Sequence, residues 1–162
     1  VPLDSIDQLT GIPTTFANLP PGTRAISLPD NSYNRASPLL VVFGRPENTS
    51  VCECERVQGS SLAQSLHMLN SDEIKNKVSH DGGRAATLMK AMKSDEENIL
   101  ELYLRAFSRH PSPEELRFAL DYLSEPVLGN DGKPIDESNA RRRNLEDFVW
   151  ALMNTKEFLF NH

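Results

Sequence analysis

Residues 94–123, SDEENILELYLRAFSRHPSPEELRFALDYL, decide the fold class. Both halves open with the same punctuation. In Ser94-Asp95-Glu96-Glu97 the serine hydroxyl is placed to accept from the third helical amide, while Glu97 reaches back to the serine amide. Ser112-Pro113-Glu114-Glu115 repeats this capping box, with proline at the first helical position, where its missing N–H removes no bond. Behind the first cap, Ile99, Leu102, Tyr103, Ala106 and Phe107 recur at helical spacing, and Leu100 and Leu104 widen the apolar arc. Arg105 and Arg109 fall at its C-terminal end, where positive charge complements the helix dipole. Behind the second cap, Leu116, Ala119, Leu120 and Leu123 share a face that stops before Pro126. Two amphipathic helices joined by a short turn point to a mainly α domain.

The flanks extend the pattern. Leu62, Leu66 and Leu69 repeat at helical spacing, with Ser60 or Ser61 as N-cap. Ser71-Asp72-Glu73 starts a short helix with Ile74 and Val78 inward, and Gly82-Gly83 breaks it. Ala85, Leu88, Met89 and Met92 form a third stripe. Residues 125–137 carry turn chemistry around Asn130-Asp131-Gly132. A last helix runs from about Ser138 to Met153, with Leu145, Phe148, Val149 and Leu152 inward and Trp150 to one side. A break near Asn154-Thr155 leaves a short closing turn with Phe158, Leu159 and Phe160 inward.

The first third reads differently. Pro2, Pro13, Pro20, Pro21, Pro29, Pro38 and Pro46 are seven of the chain's 11 prolines. Proline fixes its own φ and pushes the preceding residue out of the helical region. Residues 1–36 are therefore expected to form an extended arm, with a short strand at Thr23–Leu28. Its Ile6, Leu9, Ile12, Phe16 and Leu19 make it too apolar for a disordered tail. Part of that apolar surface is expected to lack cover in isolation. Ser37-Pro38 before Leu39–Phe43 and Gly44 fits a strand by its valines and a short helix by its caps, and the caps favour the helix. The expected architecture is a helical bundle of about five or six helices with an N-terminal extended Pro-rich arm. Residues 1–58 hold the arm and a cysteine-bearing loop, and residues 59–162 the helical domain, in one folding unit.

A length of 162 residues suits one domain with a proper core. Apolar residues at 38% and charged residues at 25% are globular proportions. No apolar run reaches the roughly 18 residues of a membrane span, and no signal peptide is expected in these residues. The net charge of −6 argues against a nucleic-acid partner, which needs a basic face. Arg141-Arg142-Arg143, the one basic cluster, reads as a solvated face or a protein contact.

Cys52-Glu53-Cys54-Glu55-Arg56 is the most unusual local string. Cys52 and Cys54 could offer thiolates to a soft metal, with His67 or His80 completing the site. Structural zinc sites show wider, paired knuckles, and no second pair exists here, so two free thiols are favoured. Arg56 is read as bracing the loop through Glu55 or nearby carbonyls. Arg45, Cys54, Glu55, Arg56 and Trp150 are the structural or interaction candidates. No haem-attachment string and no phosphate-binding glycine loop occurs, so no cofactor is expected in these residues. No catalytic residue is assigned.

Leu28-Pro29-Asp30, Phe43-Gly44-Arg45-Pro46, Cys52 through Arg56, Ser61 through Asn70, and the closing Trp150 through His162 occur in this order. On these strings the whole chain resembles the C-terminal part of the domain-of-unknown-function family numbered 1553, abundant in planctomycete bacteria. The resemblance implies a fragment of a larger exported protein, located outside the cytoplasm, with an upstream partner domain and often a cytochrome-c-like haem domain elsewhere. An exported location raises the weight of a Cys52–Cys54 disulfide, or of a bond to another cysteine. Two functions then compete: a non-catalytic helical packing or interaction module, partnered by upstream domains of the same chain or another protein, and part of a redox or hydrolytic site shared with those domains.

Overall fold

The computed structural model describes residues 2–29, 33, 36–37, 39–40 and 71–160. Among the described residues the fold is mainly α-helical and contains no strand, only an isolated bridge between Leu128 and Pro134. Helix α1 spans Pro2–Thr10, α2 Asp72–Ser79, α3 Arg84–Lys90, α4 Asp95–Phe107, α5 Pro113–Leu123, α6 Glu137–Met153 and α7 Lys156–Phe160. Six of these follow residue 71, in keeping with the expected bundle. No helix among them is long and apolar enough to cross a membrane.

Both capping boxes form reciprocally. Ser94 Oγ accepts from the Glu97 amide at 3.2 Å and Glu97 Oε2 accepts from the Ser94 amide at 3.0 Å. The Ser112–Glu115 box closes the same way, at 3.2 and 2.7 Å. Each such cap stabilises its helix by roughly 1 kcal/mol. Helix α6 is the hub and packs against each of the other six helices named here. Its Leu145, Phe148, Val149, Leu152 and Met153 are buried, each burial stabilising the fold by roughly 1.5–3 kcal/mol. Asp136 caps it by accepting from the Asn139 amide.

The arm departs from expectation at its beginning. Residues 2–10 are helical, because Pro2 sits at the start, where it is tolerated, and Pro13 comes only after the end. Leu3, Ile6 and Leu9 line one face at three-residue spacing and are fully buried. Gly11, at φ +74°, ends the helix in a left-handed turn whose amide donates to the Asp7 carbonyl. The strand expected at Thr23–Leu28 is instead a 3-10 turn at Ala25–Ser27. Its amides are claimed by α1: Asp4 accepts from Ala25 N–H at 2.6 Å and from Ile26 N–H at 3.0 Å. Most of the arm's apolar side chains have cover, while Ile26 is 63% exposed, as expected of part of that surface. Leu3, Ile6, Leu9, Phe16, Ala25 and Leu28 join the same core as α4 and α6.

A buried lysine fastens this arrangement. Lys77 of α2 directs its ammonium to Asp7 Oδ1 (2.8 Å), the Ile12 carbonyl (2.8 Å) and Thr14 Oγ1 (3.0 Å), using all three donors. Leu39 and Leu40 have helical backbone and are buried, as the serine cap favours, and Ser37 Oγ accepts from the Leu39 amide. Two apolar expectations fail. Met92 lies past the end of α3 with φ +52° and is 92% exposed, so it does not extend that helix's stripe. Leu104 is exposed on α4, because the buried arc there is already filled by Ile99, Leu102, Tyr103 and Ala106.

Candidate functional site

Arg45, Cys52, Cys54, Glu55, Arg56 and His67 lie outside the described residues. Trp150 packs half-buried against the core from α6. His80 follows α2 and accepts from the Gly82 amide through Nδ1 at 3.0 Å. Among the described residues no group of three or more His, Cys, Asp or Glu is placed to hold a metal. The arginine cluster is divided among partners. Arg141 reaches Asp95 and the Lys93 carbonyl, whereas Arg142 binds Glu146, Asp81 and the Ser79 carbonyl. Two of the three therefore tie α6 to the start of α4 and the end of α2.

The densest polar arrangement lies where α4, α5 and α7 meet. Helix α4 ends at Ser108 in a left-handed turn, φ +55°, and the chain doubles back. That reversal lays the Arg109 guanidinium over the rings of the helix's own last turn, 5.5 Å from the Tyr103 centroid and 5.4 Å from Phe107. The same guanidinium grips two carboxylates. Nη1 and Nη2 donate to Glu115 at 2.8 and 2.9 Å, and Nε and Nη2 donate to Glu157 at 2.8 Å each. Arg109 thus joins the turn before α5 to α7, 48 residues away.

Electrostatics follow from this geometry. The Arg109 hydrogen bonds, then the Ser112 amide, hold the Glu115 carboxyl down to about 2 despite some burial. Glu157 is lowered by the same guanidinium, whose own pKa is raised by the two carboxylates. Burial, then the Glu115 charge, pushes the Tyr103 phenol up. A carboxylate held near 2 stays ionised at neutral pH, so the pair with Arg109 persists there.

Beside the clamp, Tyr103, Ala119 and Phe148 floor a cleft of about 430 Å3, rimmed by Glu114, Arg117 and Asp121. Tyr103 meets Phe107 edge-on at 5.3 Å and Phe148 at 6.4 Å. Phe118 stands at its edge, 74% exposed, on the side of α5 away from buried Ala119 and Leu123. In the sequence Arg109 is marked only as a dipole partner, and Phe118 belongs to no expected site. The signal was present, since Phe118 falls off the Leu116–Ala119–Leu120–Leu123 stripe.

The family model described as "Protein of unknown function (DUF1553)", PSD1, matches residues 19–123. The chain belongs to this family. The match takes in α2 to α5 and stops short of α6 and α7, so the closing Trp150–His162 string lies beyond it. Comparison with curated proteins and with solved structures finds no match.

Proposed function

We propose that this chain is a non-catalytic helical module of a larger exported protein, docking onto the polypeptide's own upstream region. Phe118 carries the reading. A phenyl ring left in water beside a cleft floored by Tyr103 and Phe148 is the kind of aromatic that anchors an interface. The rim sets the partner's chemistry. Glu114 and Asp121 stand against Arg117, and Glu115 is already matched by Arg109, so a partner surface with an apolar anchor and flanking Lys or Arg is complementary. Family membership and the exported setting implied by the sequence strings support an extracytoplasmic location. The Cys52–Arg56 string is assigned a structural part, with no metal and no haem held by this chain.

The test is calorimetric titration of this chain with the separately produced upstream region. Binding that weakens at least tenfold in Phe118→Asp, at unchanged melting temperature, is the expected result. Exposure of Phe118 makes the variant's fold safe. No heat of binding with the native chain, or equal affinity for Phe118→Asp, overturns the proposal.

A further inference from the structure

A second cavity, of about 430 Å3, opens where α1 and the loop after it face α3 and α4. Its charged lining comprises Asp4, Asp7, Arg24, Arg84 and Arg105. The two aspartates are already occupied by the fold. Asp4 takes the Ala25 and Ile26 amides, and Asp7 takes the Thr14 amide, the Thr14 hydroxyl and the Lys77 ammonium. The arginines are not matched in this way. Among the described residues Glu101 is the one carboxylate paired with Arg84 and Arg105, and it is shared by three cations: Lys93 and Arg105 at 3.1 Å each and Arg84 at 3.6 Å.

Arg84 is the least satisfied. Its Nε is buried without a hydrogen-bond partner, and its Nη2 reaches the Gln8 carbonyl only at 3.4 Å. A buried donor left unpaired costs roughly 1–3 kcal/mol. Burial, then the nearby Arg105 charge, lowers the Arg84 pKa. Two guanidinium groups share one carboxylate with a lysine, and one keeps an unpaired N–H, so their charge is only partly matched.

We propose that this cavity binds a small organic molecule through an oxyanion, carboxylate or phosphoryl, held between Arg84 and Arg105 with Arg24 on the solvent side. The planar fork of arginine matches two oxygens of either group. An anion there relieves the Arg84–Arg105 repulsion and gives the weakly bonded Arg84 terminal nitrogens an acceptor. The volume lies in the range of small-molecule sites, so the ligand carries more than the bare oxyanion. No lining residue is shared with the Phe118 cleft, so the two proposals stand separately.

Thermal shift and calorimetric titration with sodium phosphate, and in a second arm with malonate, test the site, with ionic strength held constant by sodium chloride. A saturable rise in melting temperature is expected with at least one probe. Affinity should fall at least tenfold in Arg84→Gln and several-fold in Arg24→Gln, an exposed position whose change leaves the fold intact. Phosphate alone binding assigns a phosphoryl ligand, malonate alone a carboxylate, and both a general oxyanion site. If neither probe exceeds chloride, or if Arg24→Gln and a folded Arg84→Gln both bind like the native chain, the inference is wrong.

Discussion

Removing Arg109 should loosen the join between α4, α5 and α7 without touching the core. Its side chain is part exposed, at 39%, so each of its ion pairs is worth far less than a buried one. Exposed pairs contribute about 0.2–1 kcal/mol each, with bidentate geometry at the upper end. Stacking over Tyr103 and Phe107 adds about 0.5–1 kcal/mol. Glu115 and Glu157 would also be left facing one another without their shared cation. Together these give about 2–3 kcal/mol for Arg109→Ala, or a melting temperature lower by about 5–10 °C for a chain of this length. The pH dependence supplies the sharper test. Glu115 is lowered from 4.5 to about 2 in the fold, so its contribution is full above the ordinary carboxylate pKa and is lost as pH falls through the folded value. Urea unfolding followed by circular dichroism should show a full gap between native chain and variant at neutral pH, shrinking steadily from about pH 4.5 towards pH 2. A gap below about 0.5 kcal/mol at neutral pH, the level of an ordinary surface substitution, would refute the clamp. So would a gap that does not change on acidification.

Phe158 is 1% exposed, so Phe158→Ala should destabilise by about 3–5 kcal/mol, and truncation after Met153 should cost at least as much. Unchanged thermal melting would show that α7 is dispensable. Lys77→Ala should destabilise by about 3–5 kcal/mol, because Asp7 and Thr14 keep their place without the ammonium they face. Chemical denaturation within 1 kcal/mol of the native chain would show that α1 is held by its apolar face alone. Arg56→Ala is expected to lower stability while Cys52→Ser is nearly neutral. Stoichiometric zinc or iron in protein prepared without added metal, absent from the Cys54→Ser variant, would contradict the structural reading of that string.

Much of the helical skeleton was legible because helix ends are written locally. Ser94, Ser112 and Ser71 stand at N-caps and Gly82-Gly83 separates α2 from α3, while the stripes of α2 and α6 are buried and those of α4 and α5 are buried in part. Helix α1 was hidden because the density of prolines says less than their position. Seven prolines in 46 residues suggest an extended arm, yet α1 needs only the nine residues from Pro2 to Thr10, and its one proline stands where a helix accepts it. The 3-10 turn at Ala25 was hidden for a different reason. Its amides are satisfied by a carboxylate 21 residues earlier, and no local pattern separates that from pairing with a strand.

The clamp shows how far a local motif reaches. Glu115 was legible as the third residue of a capping box, a position that fixes its side chain over the start of α5. Its Oε2 accepts from the Ser112 amide at 2.7 Å, and that same oxygen accepts from Arg109 Nη1 at 2.8 Å. The cap therefore aims a carboxylate at the preceding turn by local geometry alone. The left-handed residue at Ser108 turns Arg109 to meet it. Glu157 completes the grip from α7, whose Phe158 is buried in the core, and nothing within reach of Arg109 in sequence marks it as the partner. What sequence conceals is therefore which of several exposed arginines meets a carboxylate already held in place. Arg109 does so because a cap on one side and a chain reversal on the other leave its guanidinium little room to go elsewhere. Arg84 sits at the opposite extreme, buried beside a carboxylate that two other cations hold more closely.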